Sequence, residues 1–385
     1  MVKRIKVAIL VDEYFGGANT AFGGYGFLAR ELIAKYLPCD DIEVEVLLKK
    51  DTSKNRLWPK EYLVDGVKVY RLAAKVLDPI NRWFLKKKNY DVFLSIELTT
   101  QSANILSLVE PEKRKVIHWI QDPRPMGDWE EIHTVKLFPE QTYWDENVYD
   151  FVHKAYLSGK TTFISQAHCL NEKARELYQL HRTVPIQYVP NPINIDDNFK
   201  LLDHKPQKKK IVFLGRIESV KRGWLFCEIA KQMPHHEFYV LGKSFRESER
   251  NKKVLDQYKS LPNLHFVGHV EGEEKNNYLK EAAILVNTSI HEALPVSFLE
   301  ALSYGTLLVS CQNPDDLTSQ FGRFTGTVIG DGFEKVPLFV EAINELMNDD
   351  ALRYELGSKA IYYIKQNHNI SSFQSVLRKL IREHC

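Results

Sequence analysis

In the run HEALPVSFLEALSYG, residues 291–305, two glutamates stand eight positions apart. Glu292 lies just before a proline, and Glu300 lies inside an apolar helical pattern. Pro295 suits the first turn of a helix. The backbone amides of Leu294, Val296 and Ser297 then have no acceptor inside that helix, and amides so placed favour an anion. Eight residues of helix span about 12 Å, too far for one acid–base dyad. The two carboxylates suit instead the two ends of an elongated ligand whose middle is a diphosphate. The plainer alternative is an exposed loop acid and an acid on the polar face of a helix. A second run, FLGRIESVKRG at 213–223, ends a strand at Gly215 and opens a helix at Gly223. Its Arg216 and Lys221 can converge on one phosphate, the first as a planar fork and the second as a point charge.

The first half offers looser signals. DEYFGGANTAFGGYGFLARELI, residues 12–33, carries five glycines ahead of a helix. It lacks the G-x-G-x-x-G spacing, so it fails as a dinucleotide fingerprint. As a flexible loop it lets Gly23 and Gly24 bring backbone close to a ligand. VIHWIQDPRP, residues 116–125, sets His118 within a strand and Gln121 and Asp122 at its end. His118, Gln121 and Asp122 are polar groups near a strand terminus, and His118 and Asp122 are candidates for a substrate role; a satisfied structural histidine is the alternative for His118. In NRWFLKKKNY, residues 81–90, Trp83, Phe84 and Leu85 mix with Arg82 and Lys86–Lys88. That run reads either as a peripheral contact with an anionic membrane or as an ordinary basic helix end.

The elements that must position these residues form two arrays. IKVAILV (5–11), IEVEVLL (42–48), VKVYRLA (67–73), YDVFLSI (90–96), KVIHWI (115–120) and TTFIS (161–165) read as strands, with helical patterns at 25–36, 101–109 and 168–179. Continuous apolar character marks strands buried on both faces, hence a largely parallel sheet. Residues 190–210 have three prolines and a lysine run, Lys208–Lys210, and no apolar period; they read as a linker. The pattern restarts at KIVFLG (210–215), HEFYVLG (236–242), NLHFVG (263–268), AILVNTS (283–289) and TLLVS (306–310), with TGTVIG (325–330) a weaker strand. Helices fit 223–232, 273–282 and 296–304, and the tail from 335 is helical. The fold class is α/β: two doubly wound Rossmann-like domains facing a cleft, with ligands outside the carboxyl ends of the strands. The expected boundaries are 1–198, 199–370, and a terminal helix at 371–385 packing back on the first domain.

The totals exclude other classes. A chain of 385 residues accommodates two domains with separate cores. A net charge of +2 gives no reason to expect nucleic acid as a partner. No run of 18 apolar residues reads as a membrane span. The basic, briefly apolar start runs into Asp12 and Glu13 rather than a cleavage site, so it reads as a strand and not a signal peptide. The five cysteines, at 39, 169, 227, 311 and 385, are scattered and odd in number. They suit a reducing compartment, as buried small side chains and one tail residue, and give neither a disulfide framework nor a structural zinc site. No D-x-D motif is present to hold a metal.

The segment E-A-L-P-V-S-F-L-E resembles the E-x7-E signature of retaining nucleotide-sugar glycosyltransferases of family 4, which have the GT-B fold. FLGRIESVKRG is similar to that family's G-R-x-x-x-x-K-G segment, with Arg222 as one extra residue. The approach FVGHVEGEEKNNYLKEAAILVNTSIHEALP and the C-terminal helices follow in the same order. The resemblance covers about residues 205–385. It implies that Glu300 holds the ribose hydroxyls and Glu292 the donor sugar. It implies that Arg216, Lys221 and the 294–297 turn neutralise the diphosphate, and that the Gly23-Gly24 loop closes over donor or acceptor. It implies a His, often followed by an Asp, that leaves a first-domain strand and contacts the donor sugar, the equivalent here being either His118 or Gln121-Asp122. The implied activity is metal-independent, cofactor-free transfer of a hexose from a nucleotide diphosphate sugar, with retention of configuration, to a saccharide or lipid-linked acceptor. That suits surface polysaccharide or glycolipid synthesis by a cytoplasmic protein, either free or peripheral at the inner face of the membrane. A sugar-nucleotide epimerase and a catalytically silent partner subunit of the same fold are the competing readings.

Overall fold

The computed structural model describes residues 4–48, 57–142, 144–204, 209–244 and 249–384. Met1–Lys3, Lys208 of the lysine run and Cys385 lie outside the described residues. The chain divides into two compact units. The first comprises Met1–Pro123, Trp144–Pro192 and Ile370–Cys385; the second comprises Arg124–Tyr143 and Ile193–Asn369.

The first unit holds an eight-stranded sheet of β1 (Ile5–Val11), β2 (Ile42–Leu48), β3 (Lys60–Val64), β4 (Val67–Arg71), β5 (Val92–Ile96), β6 (Val116–Ile120), β7 (Thr161–Ser165) and β8 (Ile186–Tyr188), in the order β3-β4-β2-β1-β5-β6-β7-β8. Among the described residues, only the β3–β4 strand pair is antiparallel. β5 and β6 are buried at every position, which is why their sequences do not alternate. The chain runs from β1 outward to β2 on one side and returns to β5 on the other. The loops after β1 and β5 therefore flank the point where the strand order reverses, and in such sheets ligands bind at that point.

The second unit repeats the plan with six parallel strands: β9 (Lys210–Leu214), β10 (Phe238–Leu241), β11 (Leu264–Gly268), β12 (Ala282–Asn287), β13 (Leu307–Ser310) and β14 (Gly322–Phe324), in the order β11-β10-β9-β12-β13-β14. The reversal falls between β9 and β12, which pair Ile211 with Ile284 and Val212 with Leu285. The two sequence runs richest in chemistry, 213–223 and 291–305, leave these two neighbouring strands.

Several expectations need correction. β3 and β8 carry no counterpart among the expected strands, whereas β4 lies within the strand expected at 67–73. Residues 325–330 are not a strand; the short β14 precedes them. The helix expected at 25–36 begins as a turn at Gly24–Phe27 and continues as a π-helix at Leu28–Ala34. The segment after Pro192 is not a bare linker: Ile193, Phe199 and Leu201 are buried, and Phe199 meets Tyr304 edge to face. Residues 124–143 group with the second unit although they interrupt the first half of the sequence. The last helix, Ile370–Glu383, lies in the first unit, where it buries Phe373, Leu377, Leu380 and Ile381. Its Arg378 donates to the carbonyls of Tyr36, Leu37 and Pro38, and Phe373 stacks on Trp119. Cys227 and Cys311 are buried, whereas Cys169 is exposed and Cys39 half-buried. Among the described residues no helix is long and apolar enough to cross a membrane.

Candidate functional site

In the second unit the helix Val296–Ser303 starts after Pro295, which caps it one position earlier than a first-turn proline would. Phe298, Leu299, Ala301 and Leu302 are buried, and the spacing fits one stripe of a helix. Burying each large side chain contributes about 1.5–3 kcal/mol, so the stripe fixes the rotation of the helix. Glu300 consequently falls on the opposite, half-exposed face. The first amide of the helix with a partner in the turn is that of Phe298, which donates to the Pro295 carbonyl at 3.0 Å. The amides of Val296 and Ser297 precede it at the positive end of the helix dipole.

Glu292 sits at the end of a hydrogen-bonded loop. Its Oε1 accepts from Lys221 Nζ at 2.5 Å, Ser289 Oγ at 2.6 Å and Asn287 Nδ2 at 2.9 Å. The side chain is only 8 % exposed. Burial alone would raise its pKa, but the Lys221 charge and the three hydrogen bonds outweigh burial and hold it below the usual glutamate value. It is therefore a carboxylate at neutral pH. Among the described residues nothing donates to its Oε2. Glu300 repeats the arrangement: Lys275 Nζ donates to Oε1 at 2.6 Å, and Oε2 takes no donor among the described residues. Each acid thus has one oxygen held by a lysine and one without a donor among the described residues.

The two cations of the 213–223 loop are placed differently from one another. Lys221 is committed to Glu292, while Arg216, nearly half exposed, lies 3.1 Å from Glu218. Gly215 continues the sheet, donating to the Leu241 carbonyl at 3.1 Å. Arg222, the extra residue before Gly223, has its side chain fully buried. It donates to the carbonyls of Thr288 at 2.7 Å, Val328 at 2.8 Å and Gly330 at 2.9 Å, and to Cys311 Sγ at 3.3 Å. Its backbone is left-handed, with φ 46°, a conformation that costs a non-glycine residue on the order of 1–3 kcal/mol. Thr288 Oγ1 donates back to the carbonyls of Lys221 and Arg222. These bonds stitch the loop after β9 to the loop after β12 and so present Lys221 to Glu292.

In the first unit the sequence candidates separate. His118 is buried within β6, 3.3 Å from Tyr178 Oη and edge to face with Phe163. Burial lowers its pKa, and the charge of Glu97 only partly offsets this, so it stays neutral. A sugar cannot reach it in this structure. Gln121 is also turned inward, into a buried amide cluster with Gln166 and Asn191. Asp122 alone of the three remains half-exposed. Its amide and that of Gln121 donate to Glu97 Oε2, at 2.7 and 2.9 Å. Gly23 is buried, and a β-carbon there would collide with the Glu13 carboxylate; Gly24 is exposed. The loop before them is tied rather than flexible: Tyr14 N donates to Thr20 Oγ1, Arg30 to the Phe15 carbonyl and Arg71 to the Ala18 carbonyl.

Sequence reasoning missed Asn287, Ser289, Lys275 and Glu97. Asn287-Thr288-Ser289 at the end of a buried strand was the available signal for the first two, since polar residues at the carboxyl end of such a strand face the ligand side. Lys275 and Glu97 act across space and leave no local signal.

Residues 194–363 match the family model "Glycosyl transferases group 1". Over 101 residues the chain is 29 % identical to the O-antigen biosynthesis glycosyltransferase WbnH of Escherichia coli, a match covering 26 % of this chain and 27 % of that protein. The chain thus spans about a quarter of the length of the curated relatives it matches. Among solved structures it is similar to sucrose-phosphate synthase from Thermosynechococcus elongatus, with TM-score 0.75, 16 % identity and 99 % of each chain covered. It is also similar to Anabaena HepE in complex with UDP and glucose, with TM-score 0.68, 12 % identity, and 98 % of this chain and 100 % of that one covered. The match to the group 1 model lies within the second unit, and the fold of the chain is that of two Rossmann-like domains of the GT-B class.

Proposed function

We propose that this protein is a retaining glycosyltransferase of family 4 that moves a hexose from a nucleotide diphosphate sugar to a saccharide or lipid-linked acceptor in surface polysaccharide synthesis. The observation that carries the reading is the seat built by Lys221, Glu292, the 294–297 turn and Glu300 at the strand-order reversal of the second unit. The likeness to HepE, whose structure holds UDP and glucose, supports the donor class. The likeness to an O-antigen enzyme supports the product class.

The chemistry follows from charge. Breaking the sugar–phosphate bond builds negative charge on the leaving diphosphate, and fixed cations and amides where that charge grows lower the barrier. Arg216, Lys221 and the amides of Leu294, Val296 and Ser297 serve this purpose, so no metal or other cofactor is assigned. Glu292, ionised and half-engaged, orients the donor sugar through Oε2; Glu300 holds the ribose hydroxyls. Asp122 is the first-domain sugar contact, and His118 acts behind it as a core residue. The Gly23-Gly24 loop takes the acceptor side. The departing phosphate accepts the acceptor's proton, so no separate base is required. Release of nucleotide diphosphate from a donor panel, with and without EDTA, tests this reading. Interconversion of donor sugars without transfer would favour the epimerase, and no reaction at all the silent subunit.

Peripheral contact with the cytoplasmic face of a membrane belongs to the same proposal. Trp58 and Trp83 are 60 % and 54 % exposed and meet edge to face at 6.2 Å. Lys87 lies over the Trp83 ring. Lys88 does not join them: its Nζ turns to Glu45 Oε1 at 2.8 Å and to Tyr70. The contact is thus assigned to Trp58, Trp83, Lys86 and Lys87.

A further inference from the structure

His291 directly precedes Glu292, and its partner comes from a distant stretch of sequence. His291 Nδ1 lies 3.6 Å from Asp128 Oδ2, with both side chains largely buried, 7 % and 15 % exposed. Asp128 belongs to the helix Met126–Ile132, within the segment 124–143 that groups with the second unit. That segment is seated firmly. Trp129, Ile132 and Val135 are buried. Asp331 Oδ1 accepts from the amides of Lys136 and Leu137 at 2.9 and 3.0 Å, and Gly330 N donates to Thr134 Oγ1 at 2.8 Å. Gly330 is in turn one of the residues held by Arg222.

The loop bearing Glu292 is fixed on its N-terminal side up to Ile290. Ile290 N donates to the Val220 carbonyl at 2.8 Å, and Gln312 Nε2 donates to the carbonyls of Ser289 and Ile290. Beyond Ile290 the chain must still be aimed, and the next side chain is His291. We propose that Asp128 is a positioning residue for the transfer reaction: by holding His291 it fixes the backbone from which Glu292 reaches the donor sugar. This rests on the function proposed above. It also assigns a role to residues 124–143, which carry none of the sequence motifs: they brace the donor site.

The test uses the full chain and Asp128→Asn, which keeps the volume and removes the charge, with His291→Asn and the double variant beside it. A misaimed group slows chemistry more than binding, so kcat should fall about tenfold while the donor KM stays within about twofold. Because Asp128 acts through His291, the double variant should be no slower than the slower single variant. Hydrogen exchange of the 290–294 amides should rise in Asp128→Asn, while the 336–348 helix is unchanged. An unchanged kcat, multiplying effects in the double variant, or unchanged exchange at 290–294 would overturn the proposal. The exchange measurement needs no donor, so it decides whether Asp128 holds the loop even if the glycosyltransferase reading itself fails.

Discussion

Glu292 and Glu300 lie eight residues apart, and each is held by a lysine from another element, Lys221 and Lys275. The pairing explains how two carboxylates can face an anionic donor: one oxygen of each is neutralised, and the other keeps its capacity to accept from hydroxyls. The two should fail differently. On the proposed reading Glu292 faces the sugar where positive charge develops, so Glu292→Ala should lower kcat by about 100-fold or more. Glu300 is proposed to hold a part of the donor that does not react, so Glu300→Ala should raise the donor KM by about tenfold with kcat little changed. Initial-rate kinetics on both variants check this, and unaltered constants in both would discard these roles. Lys221 stood out in the sequence as a phosphate candidate beside Arg216, not as the partner of Glu292. Lys275 did not stand out, because nothing near residue 275 marks it as the partner of Glu300. His118 misled for the opposite reason: its residue type suggests chemistry, while its place inside a strand buried on both faces decides its environment.

The loop 325–330 shows how one side chain can replace a strand. TGTVIG has β-forming residues, yet the carbonyls of Val328 and Gly330 go to the Arg222 guanidinium instead of to a sheet neighbour. A sequence pattern registers the apolar run but not the competing donor. Arg222→Met would leave the carbonyls of Thr288, Val328 and Gly330 without this donor, each unmet buried group costing about 1–3 kcal/mol. Denaturant unfolding should show a loss on the order of 3 kcal/mol or more; a midpoint equal to that of the unsubstituted protein would show that the guanidinium is not what holds this loop. The β3–β4 hairpin, by contrast, was legible in principle. Asp65-Gly66 stands between YLV and VKV, and both residues have positive φ, 50° and 80°, which is the requirement of a tight hairpin turn.

At the scale of the molecule, the two-array plan was readable because parallel strands buried on both faces leave continuous apolar runs at regular intervals. The excursion of residues 124–143 into the second unit was not readable, because it depends on where Trp129, Ile132 and Val135 find apolar neighbours rather than on any local pattern. The membrane contact proposed for the exposed Trp58–Trp83 pair is also tested at this scale. Trp83→Ala with Lys86→Ser and Lys87→Ser should abolish co-sedimentation with phosphatidylglycerol vesicles, while the unsubstituted chain binds those and not phosphatidylcholine; equal binding by both proteins would refute a membrane role for this patch. The central claim concerns the second unit and is tested most directly by donor turnover. Incubated with a panel of nucleotide diphosphate sugars in EDTA, the protein should release nucleotide diphosphate from at least one, and Lys221→Ala should reduce that rate by about 100-fold or more. Release from none of the donors, with or without acceptor, or a Lys221→Ala rate equal to that of the unsubstituted protein, would contradict the account.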